Sequence, residues 1–151
     1  MLALSGGCHC GGVRVEAQLT RPPDSYHPRA CDCDFCRKHA AAWISDRDGR
    51  LRIRTVRGDP GVTYRQGSGQ VELLLCGNCG VLVAALYRGG EWLFAAVNAR
   101  AIDGGVSFGS EQPVSPKTLS DSQKAQRWQD IWFSNVTIQQ IDPIPAEASQ
   151  T

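Results

Sequence analysis

Hydrophobic and polar residues alternate in short runs along the first two thirds of the chain, and glycine or proline ends most of these runs. Residues 13–18 and 51–57 alternate most regularly, as expected for strands that bury one face. A turn is predicted at 58–61, and the glycine-rich segment 65–70 is predicted to be a hairpin turn. Three apolar runs follow and predict consecutive antiparallel strands, at residues 71–75, 81–87 and 92–97.

A single helix is predicted near the end of the chain. Ser120 is placed to cap it, and Gln123 three residues later completes a capping box. Ala125, Trp128 and Trp132 recur at spacings of three and four, so they share one face, which we expect to pack inward. The pattern as a whole predicts a mainly β fold of antiparallel sheets with one C-terminal helix.

Length and charge narrow the class of protein. The 151 residues suffice for one domain with its own core, which we assign to residues 1–142, and residues 143–151 are predicted to be a flexible tail. Sixteen basic and 15 acidic side chains give a net charge of +1, which does not favour a nucleic-acid partner. Because no apolar run is long enough for a membrane span and the N-terminus has no basic leader, we expect a cytoplasmic protein.

The seven cysteines are the most informative residues for chemistry. An odd number, in a chain that needs no disulfide staples, favours metal ligands or catalytic thiols in a reducing compartment. The cysteines form three closely spaced motifs, Cys8-x-Cys10, Cys31-x-Cys33-x-x-Cys36 and Cys76-x-x-Cys79. Spacings of this kind let neighbouring thiolates reach one zinc ion at about 2.3 Å.

Two pairs of cysteines are enough to close one tetrahedral site. The simplest assignment joins both pairs in a structural zinc site, made by Cys8, Cys10, Cys76 and Cys79. The other three cysteines would hold a second zinc with an open fourth position, which is the pattern of a catalytic centre, at Cys31, Cys33 and Cys36. The sequence therefore predicts two zinc ions per chain, one structural and one available for chemistry.

Residues that follow the second motif decide how open that site is. His39 lies three residues after Cys36, so it could supply a fourth ligand and make the second site structural as well. Arg37 and Lys38 could hold an anionic substrate group near the metal, or they could be a solvated basic pair. Trp43 could form a wall of a substrate pocket or belong to the ordinary core.

The three cysteine motifs, in this order and spacing, resemble the glutathione-dependent formaldehyde-activating enzyme (GFA) family, also called centromere protein V-like. The resemblance covers roughly residues 5–98. It implies a β-tent, or Mss-four-like, fold stapled by zinc, with four cysteines at the structural zinc and three at the second one. It also implies a carbon–sulfur lyase type of activity, in which a thiol such as glutathione adds to a small aldehyde or leaves it.

Two classes of function remain at this point. The leading one is a zinc enzyme that takes glutathione or a similar thiol as cosubstrate and acts on formaldehyde or a related small electrophile. The alternative is a non-catalytic zinc scaffold that binds a protein or a nucleic acid. The arginines between residues 47 and 57 are interpreted as a solvated strand face, and a homo-oligomer is left open.

Overall fold

The alternating run near the N-terminus forms a strand, Val13–Leu19, in which every second side chain is buried. The computed structural model describes residues 2–56 and 61–142. The strand Val13–Leu19 belongs to a four-stranded sheet. The four strands are Leu2–Gly7 (β1), Val13–Leu19 (β2), Arg50–Val56 (β5) and Asn135–Ile141 (β11). Their order is β1-β2-β5-β11, and β11 runs parallel to β5 whereas the other pairs are antiparallel.

Seven strands form a second sheet: Arg29–Cys31 (β3), Trp43–Ile44 (β4), Gly61–Tyr64 (β6), Val71–Cys76 (β7), Leu82–Gly89 (β8), Trp92–Asn98 (β9) and Gln112–Val114 (β10). Their order is β10-β3-β4-β9-β8-β7-β6. The strands β6 to β9 pair in sequence as antiparallel neighbours, which confirms the predicted hairpins. The mainly β class with antiparallel-rich sheets is therefore confirmed.

Two α-helices lie within the described residues, Asp34–Lys38 (α1) and Asp121–Ile131 (α2). The capping box predicted for α2 is present, because Ser120 Oγ accepts from Gln123 N–H and the Gln123 side chain accepts from Ser120 N–H. The short helix α1 was not predicted. It has only five residues, too few to show a helical period, and its first three overlap the second cysteine motif.

The seven-stranded sheet is buried on both faces. Along β7, Leu74 faces the core between the two sheets, whereas Leu73 faces a second core beneath α2. Phe133, two residues after the end of α2, has no exposed surface and lies in the first core. Trp128 of the helix and Trp132, its C-cap residue, are buried in the second core, so the predicted inward face of α2 is confirmed.

The sequence pattern did not predict several of the strands, because they are very short. The strands β3, β4 and β10 contain two or three residues each, too few for an alternation to be recognised. The segment 65–70 joins β6 to β7 as the predicted hairpin turn. The predicted tail at 143–151 and most of the turn predicted at 58–61 lie outside the described residues.

Candidate metal centres and the adjoining cavity

Four cysteines from distant parts of the chain meet at one point between β1 and the β7–β8 turn. The Sγ atoms all lie within 4.8 Å of one another in Cys8, Cys10, Cys76 and Cys79. Cys10 Sγ lies 3.8 Å from Cys8 Sγ and 3.5 Å from Cys76 Sγ. A tetrahedron with metal–sulfur bonds of about 2.3 Å has edges of about 3.8 Å, so this group fits a four-coordinate metal ion.

The backbone around this group is shaped to hold the sulfurs. Gly7 has a φ of +145°, and a Cβ there would lie 2.1 Å from the carbonyl oxygen of Val13. This close approach brings Val13 N–H to 3.1 Å from Cys8 Sγ. In the β7–β8 turn, the N–H groups of Asn78 and Cys79 both donate to Cys76 Sγ at 3.4 Å. Such donors stabilise negative charge on ligating thiolates.

The thiols of the first group differ in how readily they ionise. Burial raises the pKa of Cys8 to about 12. The backbone N–H of Cys10 donates to Cys79 and lowers the pKa of the Cys79 thiol to about 6. The pKa of Cys10 is also lowered, mainly by a hydrogen bond from the Asn78 side chain, so negative charge in this group is favoured on Cys10 and Cys79.

The second group is assembled from a strand end and the first turn of a helix. The Sγ atoms of Cys31, Cys33 and Cys36 also lie within 4.8 Å of one another. Cys31 ends β3, Cys33 caps α1 and Cys36 lies inside that helix. Cys36 N–H donates to Cys33 Sγ at 3.4 Å, so a thiol takes the place of the usual capping hydroxyl.

Hydrogen bonding within this second group concentrates negative charge on one sulfur. The Cys36 thiol donates to Cys31 and lowers the pKa of Cys31 to about 6. The same contact, together with burial, raises the pKa of Cys36. Burial also raises the pKa of Cys33. A bound cation would displace the remaining protons, since metal ions bind thiolates rather than thiols.

A cavity of about 170 Å³ opens beside the second group. All three of its cysteines line the cavity. Its apolar wall combines aliphatic side chains, among them Leu73 and Val114, with three tryptophans, Trp43, Trp128 and Trp132. Trp43 Nε1–H also donates to Cys36 Sγ at 3.4 Å, which places this indole both in the wall and against the candidate metal centre.

Positive charge reaches this cavity from residues that the sequence patterns did not select. Arg29, Lys117, Lys124 and Arg127 line it, whereas Arg37 and Lys38 are exposed and lie outside its lining. The expected anion contacts at Arg37 and Lys38 are therefore not in the cavity, because both residues follow Cys36 on the solvent side of α1. Burial, with a smaller effect from the charge of Arg127, lowers the pKa of Arg29 to about 10, so it stays charged at neutral pH.

The predicted hairpin turn between β6 and β7 covers one side of the cavity. Gln66, Gly67 and Ser68 line it, and Gln66 Nε2 lies 3.9 Å from Cys33 Sγ. Gln70 Nε2 donates to the Asp121 carbonyl at 3.2 Å and joins the turn to the start of α2. The sequence identified the turn but gave no sign that it contributes to a site.

Neither group of convergent ligands among the described residues includes a histidine. His39 ends α1, is exposed, and packs its ring against Phe35 with centroids 4.6 Å apart. The structure does not bring it into the group formed by Cys31, Cys33 and Cys36. His9 is exposed, and His27 Nδ1 lies 2.9 Å from the Ser110 carbonyl oxygen.

Fold and site together define a mainly β protein with two convergent thiol groups, each able to hold a metal ion. Residues 3–117 match the family model described as glutathione-dependent formaldehyde-activating enzyme, abbreviated GFA. The matched segment contains all seven cysteines and more than half of the chain. The chain therefore belongs to the GFA family.

A solved structure supports the same fold. The chain is similar to a Rhodobacter sphaeroides protein whose crystal structure was determined as a structural genomics target, with 27% identity and a TM-score of 0.52. The similarity covers 68% of this chain and 90% of the other. No curated protein matches the chain.

Among the described helices, none combines the length and apolar character needed to span a membrane.

Proposed function

We propose that this protein is a zinc-dependent enzyme of the carbon–sulfur lyase type. Its substrate would be the adduct of a thiol such as glutathione with formaldehyde or a related small electrophile. One observation carries the proposal: the convergent residues Cys31, Cys33 and Cys36 all line one cavity. Among the described residues lining that cavity, none belongs to the four-cysteine group. Metal-ligating residues at an accessible cavity are typical of a catalytic centre.

The two groups would then divide structural and catalytic roles. Sets made only of thiolates favour zinc over hard cations such as magnesium and calcium. Cys8, Cys10, Cys76 and Cys79 offer four sulfurs, enough to close a structural site. Cys31, Cys33 and Cys36 offer three, and His39 lies outside the group. When bound there, zinc supplies a fourth position at which an incoming thiol can lose its proton near neutral pH.

The residues around the cavity would position the reacting atoms. Trp43 donates to Cys36 Sγ and offsets part of the negative charge of the thiolate group. Gln66 Nε2, beside Cys33, is placed to donate to the oxygen of the aldehyde or of its adduct. In the direction of addition, a bond forms between the thiol sulfur and the carbonyl carbon, while the proton lost by the thiol ends on the oxygen. The reverse direction breaks the same carbon–sulfur bond.

Zinc-edge X-ray absorption of the purified full-length chain tests whether a thiol enters the second site. We expect two zinc ions per chain and an increase in average sulfur coordination when glutathione is added. S-methylglutathione, which lacks a free thiol, is the matched control and should leave the spectrum unchanged. A spectrum that glutathione does not alter would overturn the open-site proposal and favour the scaffold alternative.

Catalysis is tested separately by NMR exchange between glutathione and its S-hydroxymethyl adduct in the presence of formaldehyde. We expect the zinc-loaded protein to accelerate this exchange and Cys33→Ala to remove the acceleration.

Under this proposal the protein is cytoplasmic, because free thiols and thiolate metal sites persist in a reducing compartment.

A further inference from the structure

Helix α2 places two positive charges on the face that contacts the cavity. Lys124, Arg127 and Trp128 are spaced as i, i+3 and i+4, so they lie on one side of the helix. All three line the cavity, and Lys124 and Arg127 are half-buried there. Cations on the inward face of a helix are unusual, since an outward position would leave them hydrated.

A third charge comes from the strand that carries the second cysteine group. Arg29 and Cys31 are two residues apart in β3, so alternation directs both side chains to the same face. Both line the cavity. Arg29 donates to the neutral hydroxyl of Ser45 at 2.8 Å, which holds the guanidinium without neutralising it.

These three cations have no carboxylate partner among residues 2–56 and 61–142, since the ion pairs found there involve other basic residues. Lys117, the fourth cation of the lining, differs because its Nζ lies 3.7 Å from Asp32 Oδ2. Half-buried cations that repel one another are costly unless an anion is held between them. Within the described residues, the fold therefore maintains a positively charged wall beside the second group without pairing it with a carboxylate.

The cysteine group does not balance this wall when loaded. Three thiolates on a divalent cation leave one negative charge, whereas Arg29, Lys124 and Arg127 carry three positive ones. The excess of positive charge is available to a ligand. The guanidinium groups of Arg29 and Arg127 reach the same cavity. Each presents paired N–H donors, a geometry that suits the two oxygens of a carboxylate.

We propose that Arg29, Lys124 and Arg127 form a carboxylate subsite, and that the thiol used by this protein is a compact one whose carboxylate lies a few bonds from its sulfur. The inference rests on the proposed function, which places the thiol at the second cysteine group. The cavity of about 170 Å³ is smaller than the roughly 300 Å³ at which proteins enclose a whole drug-sized ligand. A sulfur and a nearby carboxylate fit within it, whereas the more distant parts of a tripeptide extend beyond its mouth.

Tryptophan fluorescence of the zinc-loaded protein tests this subsite without requiring activity. Trp92→Phe serves as the parent in every measurement, because Trp92 is 65% exposed and lies outside the cavity lining. The probes are 3-mercaptopropionate, its neutral analogue 3-mercaptopropionamide, glutathione, and propionate, which has no thiol. The variants are Arg127→Gln, Lys124→Gln and, as a control with the same loss of charge, Arg50→Gln at an exposed position of β5.

We expect the parent to bind 3-mercaptopropionate at least about tenfold more tightly than the amide, as a charge-assisted hydrogen bond predicts. Arg127→Gln and Lys124→Gln should reduce this ratio, and Arg50→Gln should not. Melting curves of both cavity variants serve as the control that a reduced ratio does not result from loss of fold. Equal binding of acid and amide by the parent, with no effect of Arg127→Gln on any probe, would overturn the subsite while leaving the proposed function intact.

The remaining outcomes separate the two proposals. In one outcome, the parent binds propionate, Arg127→Gln does not, and no thiol binds to either protein. This result would support the subsite and contradict the proposed function. Arg127-dependent preference for glutathione, without preference for 3-mercaptopropionate over its amide, would overturn the compact-thiol assignment. Absence of binding by all four probes would overturn both proposals.

Discussion

The indole N–H of Trp43 donates to Cys36 Sγ at 3.4 Å, so a wall residue of the cavity also supports a sulfur of the second group. Trp43→Phe keeps an aromatic ring in the wall and removes the donor. We expect zinc affinity at this group to fall about tenfold or more, as is typical when a hydrogen bond to a metal ligand is lost. Competition with a coloured chelator measures the affinity, and Trp92→Phe is the matched control. Unchanged affinity would show that the hydrogen bond does not stabilise the thiolate.

The two cysteine groups should respond differently to loss of one ligand. Cys79→Ala opens the group that joins the N-terminal strand to the β7–β8 turn, so we expect an unfolded or aggregated chain. Cys33→Ala should remove one of two zinc ions and leave the fold intact. Metal analysis and circular dichroism distinguish these results. Equal damage from both substitutions would indicate two structural sites and contradict the catalytic assignment.

Asp46 stabilises the connection between the two sheets. Burial acts to raise its pKa, but hydrogen bonds from Tyr26, Thr20 and Asp48 outweigh it, and the pKa of Asp46 lies below its usual 3.8. A carboxylate with a depressed pKa stabilises the fold above its unfolded pKa, and that stability is lost as pH falls through the folded pKa. Asp46→Asn should therefore lower the free energy of unfolding by about 2 kcal/mol at neutral pH.

Urea denaturation across pH measures this contribution. The difference between the parent and Asp46→Asn should be constant at neutral and weakly acidic pH and should shrink below about pH 4. Asp48→Asn, at an exposed side chain, is the control and should have little effect. A difference that increased on acidification would mean that Asp46 is protonated in the native protein.

Ser120 fixes the start of the helix that carries Lys124, Arg127 and Trp128 to the cavity. Ser120→Ala removes the side-chain cap and should cost about 1 kcal/mol of stability. Ser120→Thr retains a capping hydroxyl and should cost only a fraction of that. Urea denaturation at neutral pH measures both variants. Equal stability of the alanine and threonine variants would show that the capping box does not hold the helix in place.

The candidate metal groups could be predicted because cysteine spacing is a local property. Two thiols in one turn, or three within six residues, are close to each other whatever the rest of the chain does. The assignment of Cys8 and Cys10 to the same group as Cys76 and Cys79 needed one further argument, the coordination number of zinc. The structure brings together the four sulfurs that this argument selects.

The charged wall of the cavity could not be predicted in the same way. Lys124 and Arg127 are far from Cys31 in sequence, and only the packing of α2 beneath the seven-stranded sheet brings them together. A local signal was nevertheless present, because both cations share the inward face that Trp128 defines. Adjacency to Cys36 favoured Arg37 and Lys38 instead, but the short helix α1 leaves both in solvent.

Strand β11 pairs in parallel with β5, although five strands of the other sheet, β6 to β10, lie between them in the sequence. During synthesis, one edge of β5 therefore stays unpaired until residues 135–141 have left the ribosome. Cys31, Cys33 and Cys36 emerge together and early, so a nascent chain can capture a metal ion at this group before either sheet is complete. Under the zinc proposal, the order of synthesis would allow the second group to be loaded before the fold is completed.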